Sequence, residues 1–471
     1  MNRRLRRLVA LYAGIGAGWL ALARLVMPSV LASAYAGRGV FPPLNHWVQT
    51  RFHRPLEHYL GLWFEFSNAV VLALILHLGL IFLALRWLVG PVEEGATDPR
   101  RRTFARAILG LSGLFLGFAV LSGPRQDYTA YLEIWEGIGQ GQSPWRISPR
   151  FGYALNAYGP LFVALAPPAW GNPLAPKLLF AASYLATVLV ITRPPQEPSW
   201  RGLAIALGPF FWVEIAYFGH FDILVALACV AAVSARLRGK DRAAGLGLAL
   251  GFLLKFLPLA LLPTLALDGR RLRVRLVAVA MLVMVAGMVL AYGAWGPSAF
   301  RPLGFAYGRR SEFASIFRFM RGPYSPLRGL GGPPDLDGLS GPCLLVFGLA
   351  TLGVSQALRF RADTSSVLAA LVVTTFYKVG FLQYQMIPIL LLLSWVRGNE
   401  RAWAASPLLR WTAWFTMGWI TVLDLLLCWG GGVIHPGDPL GWLEDVVGLP
   451  TFLLSVSLWL ALARAMRFPR L

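Results

Sequence analysis

Charge is scarce in this sequence, and negative charge is scarcest. Charged residues make up 14% of the 471, with 22 Asp and Glu against 43 Lys and Arg. A water-soluble chain of this length needs more polar surface than that, so a soluble globular protein is excluded. Cysteine is nearly absent: Cys229, Cys343 and Cys428 are the three, all in or beside apolar runs. Their spacing excludes a disulfide framework or a cysteine zinc site and leaves the redox compartment unread. Low-complexity tracts, internal repeats and any recognisable nucleic-acid module are also missing. The start "MNRRLRRLVALYAGIGAGWLALARLV" is basic, but its apolar stretch runs long and lacks a cleavage site, so it is expected to stay as a first helix.

What is present is hydrophobicity. Of the residues, 57% are hydrophobic, in runs that recur from end to end near the span length of about 20 residues. The expected fold is all-α: a polytopic integral membrane protein of roughly 11–14 transmembrane helices, with interfacial helices in its external loops. The net charge of +21 sits mostly in short loops between apolar runs. That is the pattern that orients membrane proteins, not a footprint for nucleic acid. "RRLRR", "DPRRRTFAR", "RPPQEPSWR", "RLRGKDR" and "DGRRLRVR" are expected on the cytoplasmic side with both termini. The segment 36–67, with His46, His53 and His58, is then external, as are Asp127, the turn "GHFD" and the stretch 296–339. Residues 1–99 read as a two-helix N-terminal extension and 100–471 as the working module.

One stretch breaks the bookkeeping. Residues 243–267 are bounded by basic loops at both ends. A single helix cannot return to its own side, so a short hairpin broken around Lys255 and Pro258 is expected. Proline removes a helix hydrogen bond and clashes with the preceding turn. Broken helices are tolerated at depth where they line a protein cavity.

Against this apolar background a few polar residues need a reason. Asp127 opens "QDYTAYLEIWEGIGQGQSPW", in which Tyr131, Ile134, Trp135 and Ile138 recur at helical spacing. It reads either as a solvated acid at a helix end or as a general base at the water–lipid boundary, where a hydroxyl could meet a lipid-linked phosphate. His220 and Asp222 mark an external tip, either an ordinary polar turn or a proton or phosphate site. Lys255 lies inside an apolar run, which makes it a functional candidate, with snorkelling to the interface as the alternative. Lys378, Gln383, Tyr384 and Gln385 interrupt two apolar segments at another external tip, either an ordinary polar turn or part of a site. "GRRSEFASIFRFMRGPYSPLRGL" sets Arg309, Arg310, Arg318, Arg321 and Arg328 against Glu312. Guanidinium suits phosphate by bidentate hydrogen bonding; anionic lipid headgroups are the other reading. Together these residues describe a cavity for an anionic lipid substrate beside a base.

Four stretches in this order, "QDYTAYLEIWEGIGQGQSPW", "GHFDILVALACVAA", "GLALGFLLKFLPLALLP" and "TFYKVGFLQYQMIPILLLL", resemble the polytopic GT-C glycosyltransferases that use polyprenyl-phosphate sugars. They are similar to the catalytic subunit of GPI mannosyltransferase I and to bacterial polyprenyl-phosphate mannosyltransferases. The resemblance covers roughly residues 100–394. It implies inverting transfer of a hexose, mannose in those relatives, to a lipid or glycan acceptor. It gives Asp127 the role of activating the acceptor hydroxyl. Lys255, Lys378, His220, Arg318 and Arg321 would hold the donor phosphate, and Arg125, Tyr128, Asp222, Gln383 and Tyr384 would line the cavity. The eukaryotic relative has a paired Asp-x-Asp; here Arg125 holds the first position, which argues against the one cofactor to consider, a divalent metal. The implied setting is the bacterial inner membrane with the site facing the periplasm. A flippase or transporter for a lipid-linked anion is the rival class, since broken helices and intramembrane cations suit it too. A non-catalytic scaffold of an envelope-synthesis complex is the third.

Overall fold

In lipid a chain must satisfy its own backbone groups, and a helix does so within one segment. The computed structural model is accordingly almost wholly helical. It describes residues 3–26, 67–84, 99–147, 156–192, 208–268, 271–327, 336–429 and 442–467, together with single residues 29, 32 and 46. The expected external segment 36–67 and Arg328 lie almost entirely outside these. Among the described residues the strands are two-residue pairs: Leu267–Asp268 with Arg271–Leu272, antiparallel, and Glu312–Phe313 with Val379–Gly380, parallel. This is the all-α membrane architecture expected from composition.

Six described helices are long and apolar enough to cross a membrane: Arg6–Val26, Thr103–Leu121, Ala175–Thr192, Val274–Phe300, Leu336–Ala357 and Gly448–Met466. A seventh follows if Pro209–Tyr217 and Asp222–Leu237, bent by 119° at the "GHFD" turn, form one span. Other apolar runs form shorter helices, such as Asn68–Ala84 and Ala362–Phe376.

The chain forms two compact units. The first comprises Met1–Leu132, Pro167–Trp200 and Ile215–Gly219. Its helices are α1 (Arg3–Ala21), α2 (Ser67–Ala84), α3 (Pro99–Leu121), the start of α4 (Gln126–Gly139), and α5 (Ala175–Thr192). Helix α2 packs on α1, α3 and α5. A polar staple supports that packing. His77 on α2 donates from Nε2 to the Leu109 carbonyl on α3 at 2.9 Å, and its Nδ1 pairs with the Tyr12 hydroxyl on α1 at 2.6 Å. Gly113 leaves room for the ring, since a Cβ there would lie 3.1 Å from it. Interhelical hydrogen bonds of this kind contribute about 0.6 kcal/mol each.

The second unit comprises Glu133–Ala166, Arg201–Glu214 and His220–Leu471. It holds α6 (Asp222–Leu237), α7 (Asp241–Leu254), α8 (Val274–Trp295), α9 (Ser340–Ala357), α10 (Ala362–Phe376), α11 (Met386–Gly398), α12 (Pro407–Trp429) and α13 (Gly448–Arg467). Helix α7 packs tightly between α6 and α8. Glycine makes this possible: a Cβ on Gly245 would sit 2.5 Å from the Leu276 carbonyl oxygen of α8. Helices α10 and α11 pack on each other, and α13 packs on α10 and α12.

The expected break falls where the sequence places it. Helix α7 stops at Leu254, and Lys255 is extended at φ −158°, ψ 134°. The chain resumes as a 3₁₀ turn at Leu257–Leu261 with Pro258 in its first turn, then as a short helix at Leu262–Ala266. Proline suits the first turn because its missing N–H would be unbonded there anyway. The break leaves Lys255 at a helix end, buried rather than snorkelling.

Candidate functional site

The first unit holds Arg125, Asp127 and Tyr128 at the start of α4. Asp127 lies in the first turn, where a carboxylate is favoured by the helix dipole, and is half-buried. Its neighbour Tyr128 is fully buried and clamped. The Tyr128 hydroxyl donates to the Pro173 carbonyl at 2.6 Å and accepts from the Lys177 backbone N–H at 3.1 Å. Burial pushes its phenol well above the usual range, so it stays a donor. Arg125 is exposed, with its Nε donating to the Ser122 carbonyl and its guanidinium over the Tyr217 ring at 5.5 Å. The helix predicted after Asp127 is present. Its Tyr131, Ile134 and Trp135 are covered by protein.

Lys177 ties this region together and was not among the candidate residues read from the sequence. It is buried at 0% exposure, and its ammonium donates to Ser122 Oγ at 2.7 Å, the Gly123 carbonyl at 2.6 Å and the Tyr217 carbonyl at 2.8 Å. Three protons meet three neutral acceptors. Gly219, at φ +78°, passes so close that a Cβ would meet the Tyr128 ring at 2.8 Å. Lys177→Met is expected to strand these acceptors and to destabilise by about 1–3 kcal/mol. Thermal unfolding in detergent checks this; an unchanged melting temperature would contradict it.

The second unit gathers the remaining candidates. Lys255 Nζ donates to Asp222 Oδ1 at 2.6 Å, with both side chains buried. The ammonium also lies 4.0 Å from the centre of the Tyr384 ring and 5.5 Å from those of Tyr158 and Phe221. An ammonium inside a ring cage with one acid is a desolvated cation held in place. Burial first, then Tyr377 and the Asp222 charge, raise the Tyr384 phenol well above its ordinary value, so it remains neutral.

A second cation stands near the first. Arg309 grips Glu312 through both nitrogens, at 2.7 and 2.9 Å, and its guanidinium covers the Phe381 ring at 4.8 Å. Tyr384 and Tyr158 act electrostatically on both Arg309 and, through their rings, Lys255. The Glu312 segment is held by the parallel pairing with Val379–Gly380. Phe313 sits at φ +41°, in the left-handed region that favours glycine. Gly380 and Gly448 give nearby Ser315 clearance: a Cβ on either would lie 2.2 Å from its backbone. Lys378 and Gln383 are buried in the same stretch. The Lys378 carbonyl accepts from the Glu312 N–H, and its own N–H donates to Ser340 Oγ, both at 3.1 Å.

His220 closes the bent tip. Its Nδ1 donates to the Glu214 carboxylate at 2.5 Å, and its backbone N–H donates to the Glu214 carbonyl at 2.9 Å. Arg318 and Arg321, expected on the donor phosphate, both hold acids of the chain. Arg318 reaches Asp445 at 2.8 Å and Glu444 at 3.6 Å, and Arg321 reaches Asp337 at 3.1 Å. The arginine-rich stretch is therefore matched by acids distant in sequence as well as by Glu312.

Gly159 sets the geometry between Tyr158 and Lys255. Its N–H donates to the Leu254 carbonyl at 2.9 Å, and a Cβ would lie 2.2 Å from the Leu253 carbonyl oxygen. Gly159→Ala is expected to push the two backbones apart and cost about 1–3 kcal/mol. Thermal unfolding beside Tyr158→Phe tests this, with the larger loss expected for the glycine.

Glu214, Tyr158 and Phe221 were also not among the candidates read from the sequence. Glu214 and Lys177 interrupt apolar runs as Lys255 does, so the test that selects Lys255 would have found them. The two rings carry no such signal. As for a metal, no three His, Cys, Asp or Glu side chains among the described residues come together to hold one. The described residues do not fit a divalent metal.

Comparison with curated proteins found no match, and neither did comparison with solved structures. Residues 156–383, just under half of the chain, match the model of glycosyltransferase family 87, which supports a multi-pass membrane enzyme that transfers sugar and is broader than the mannosyltransferase likeness of the motifs.

Proposed function

We propose that the protein transfers a hexose, mannose by preference, from a polyprenyl-phosphate donor to a lipid or glycan acceptor on the external face of the membrane. The carrying observation is that the glycosyltransferase match spans Tyr158, Asp222 and the cations Lys255, Arg309 and Lys378, of which Lys255 and Lys378 are buried and Arg309 is half-buried. Lys255 and Arg309 hold the departing phosphate, with Lys378 and His220 in support. Arg318 and Arg321 hold the surrounding loops through their acids. Asp127 takes the proton of the acceptor hydroxyl. The acceptor oxygen bonds to the anomeric carbon, whose bond to the phosphate oxygen breaks, and the phosphate leaves with the electron pair. Stabilising that developing charge away from water is where a protein lowers such a barrier most.

The basic loops support cytoplasmic termini, and with them a site facing the periplasm of a bacterial inner membrane. Residues 100–471 serve as the catalytic module and 1–99 as its N-terminal extension.

The test is transfer itself. The protein in lipid nanodiscs is incubated with radiolabelled decaprenyl-phosphate mannose and a membrane lipid extract. Label in a new lipid or glycan product is the expected result. Donor movement between leaflets without any product would replace this reading with a transporter.

A further inference from the structure

Asp222 is wholly buried, yet only one of its oxygens is used. Oδ1 takes the Lys255 ammonium at 2.6 Å. Oδ2 is buried and accepts no hydrogen bond from the described residues. A carboxylate offers acceptor positions on both oxygens, and a buried one left unmet costs more than the bond it lacks. Its surroundings have the makings of a ligand site. The ammonium paired with its other oxygen lies over the faces of Tyr384, Tyr158 and Phe221.

We propose that Asp222 Oδ2 accepts a hydroxyl of the transferred hexose, so that the two ends of one ion pair read the sugar and the phosphate of the donor together. This rests on the glycosyltransferase reading above. A carboxylate oxygen rejects further anions and selects a hydrogen-bond donor. The aromatic rings offer apolar walls to the C–H faces of a pyranose. Lys255, on four rotatable carbons, turns its ammonium toward the phosphate and opens Oδ2 to the sugar. A bare prenyl phosphate has no hydroxyl to give and makes only the Lys255 half of the contact.

Equilibrium binding to the full chain in nanodiscs tests this with two probes, decaprenyl-phosphate mannose and decaprenyl phosphate. Wild type is expected to prefer the sugar-bearing probe by about 10- to 100-fold, the scale of one hydrogen bond to a charged group. In Asp222→Asn that preference collapses toward one. If Asp222→Asn shifts both affinities by the same factor, the residue acts only through Lys255 and the proposal is overturned. If wild type binds neither probe, the glycosyltransferase reading falls and takes the proposal with it. A second measurement needs no variant. Donors lacking one sugar hydroxyl at a time are bound to wild type, and one of them is expected to lose the same 10- to 100-fold. Equal affinity across that series also overturns the proposal.

Discussion

Asp127→Asn is expected to lower sugar transfer by about 10²- to 10⁴-fold, the usual contribution of a positioned general base. Donor binding and thermal unfolding should change little. The asymmetry follows from where Asp127 sits. It is half-buried in the first turn of α4, next to Tyr128, whose hydroxyl is fixed to Pro173 and to the Lys177 backbone. Asn keeps the shape and still suits a helix start, so the stability lost is about the 0.3–1 kcal/mol of a charge at a helix N-terminus. It cannot accept a proton. Turnover and donor affinity measured on one preparation separate the roles. Full transfer by Asp127→Asn would reduce Asp127 to a residue that starts a helix.

Lys255→Met is expected to fail in two ways at once. It leaves Asp222 charged, buried and without its cation, a loss of about 3–5 kcal/mol when one partner of a buried pair is removed. It also removes the ammonium from the donor phosphate, so donor affinity should fall by about 10²-fold, as for a hydrogen bond between charged groups. The double variant Lys255→Met, Asp222→Asn separates these. With the acid neutralised, most of the stability should return, while donor affinity stays low. Recovery of both would show that the pair only braces the helix break.

Arg309→Met is not expected to reproduce this. Arg309 and Glu312 are both partly exposed, and pairs of that kind contribute about 0–1 kcal/mol. Its loss should appear in donor binding rather than in unfolding.

Much of the architecture is legible in the sequence because hydropathy and helix breaking are local. The apolar runs dictate helices, since lipid leaves backbone groups no other partner. Two basic loops flanking one apolar stretch, with Pro258 inside it, locate the break at Lys255. An ammonium in an apolar run marks Lys255 as important before any contact is known.

Only the tertiary structure decides who meets whom. Lys255 finds Asp222 across 33 positions, and Arg321 finds Asp337 across 16. Arg309 looks like one of five equivalent arginines in its stretch. Packing gives it Glu312 and the Phe381 ring, while it sends Arg318 to Asp445. Tyr131 and Trp135 have the spacing of a lipid-facing stripe, yet protein covers them. Periodicity states that a face is apolar but not what lies against it. Sequence by itself determined the class of molecule and the charges that cannot be idle. The pairing of those charges depends on close approach of segments far apart in the chain, which glycines such as Gly159 and Gly380 permit and no local pattern records.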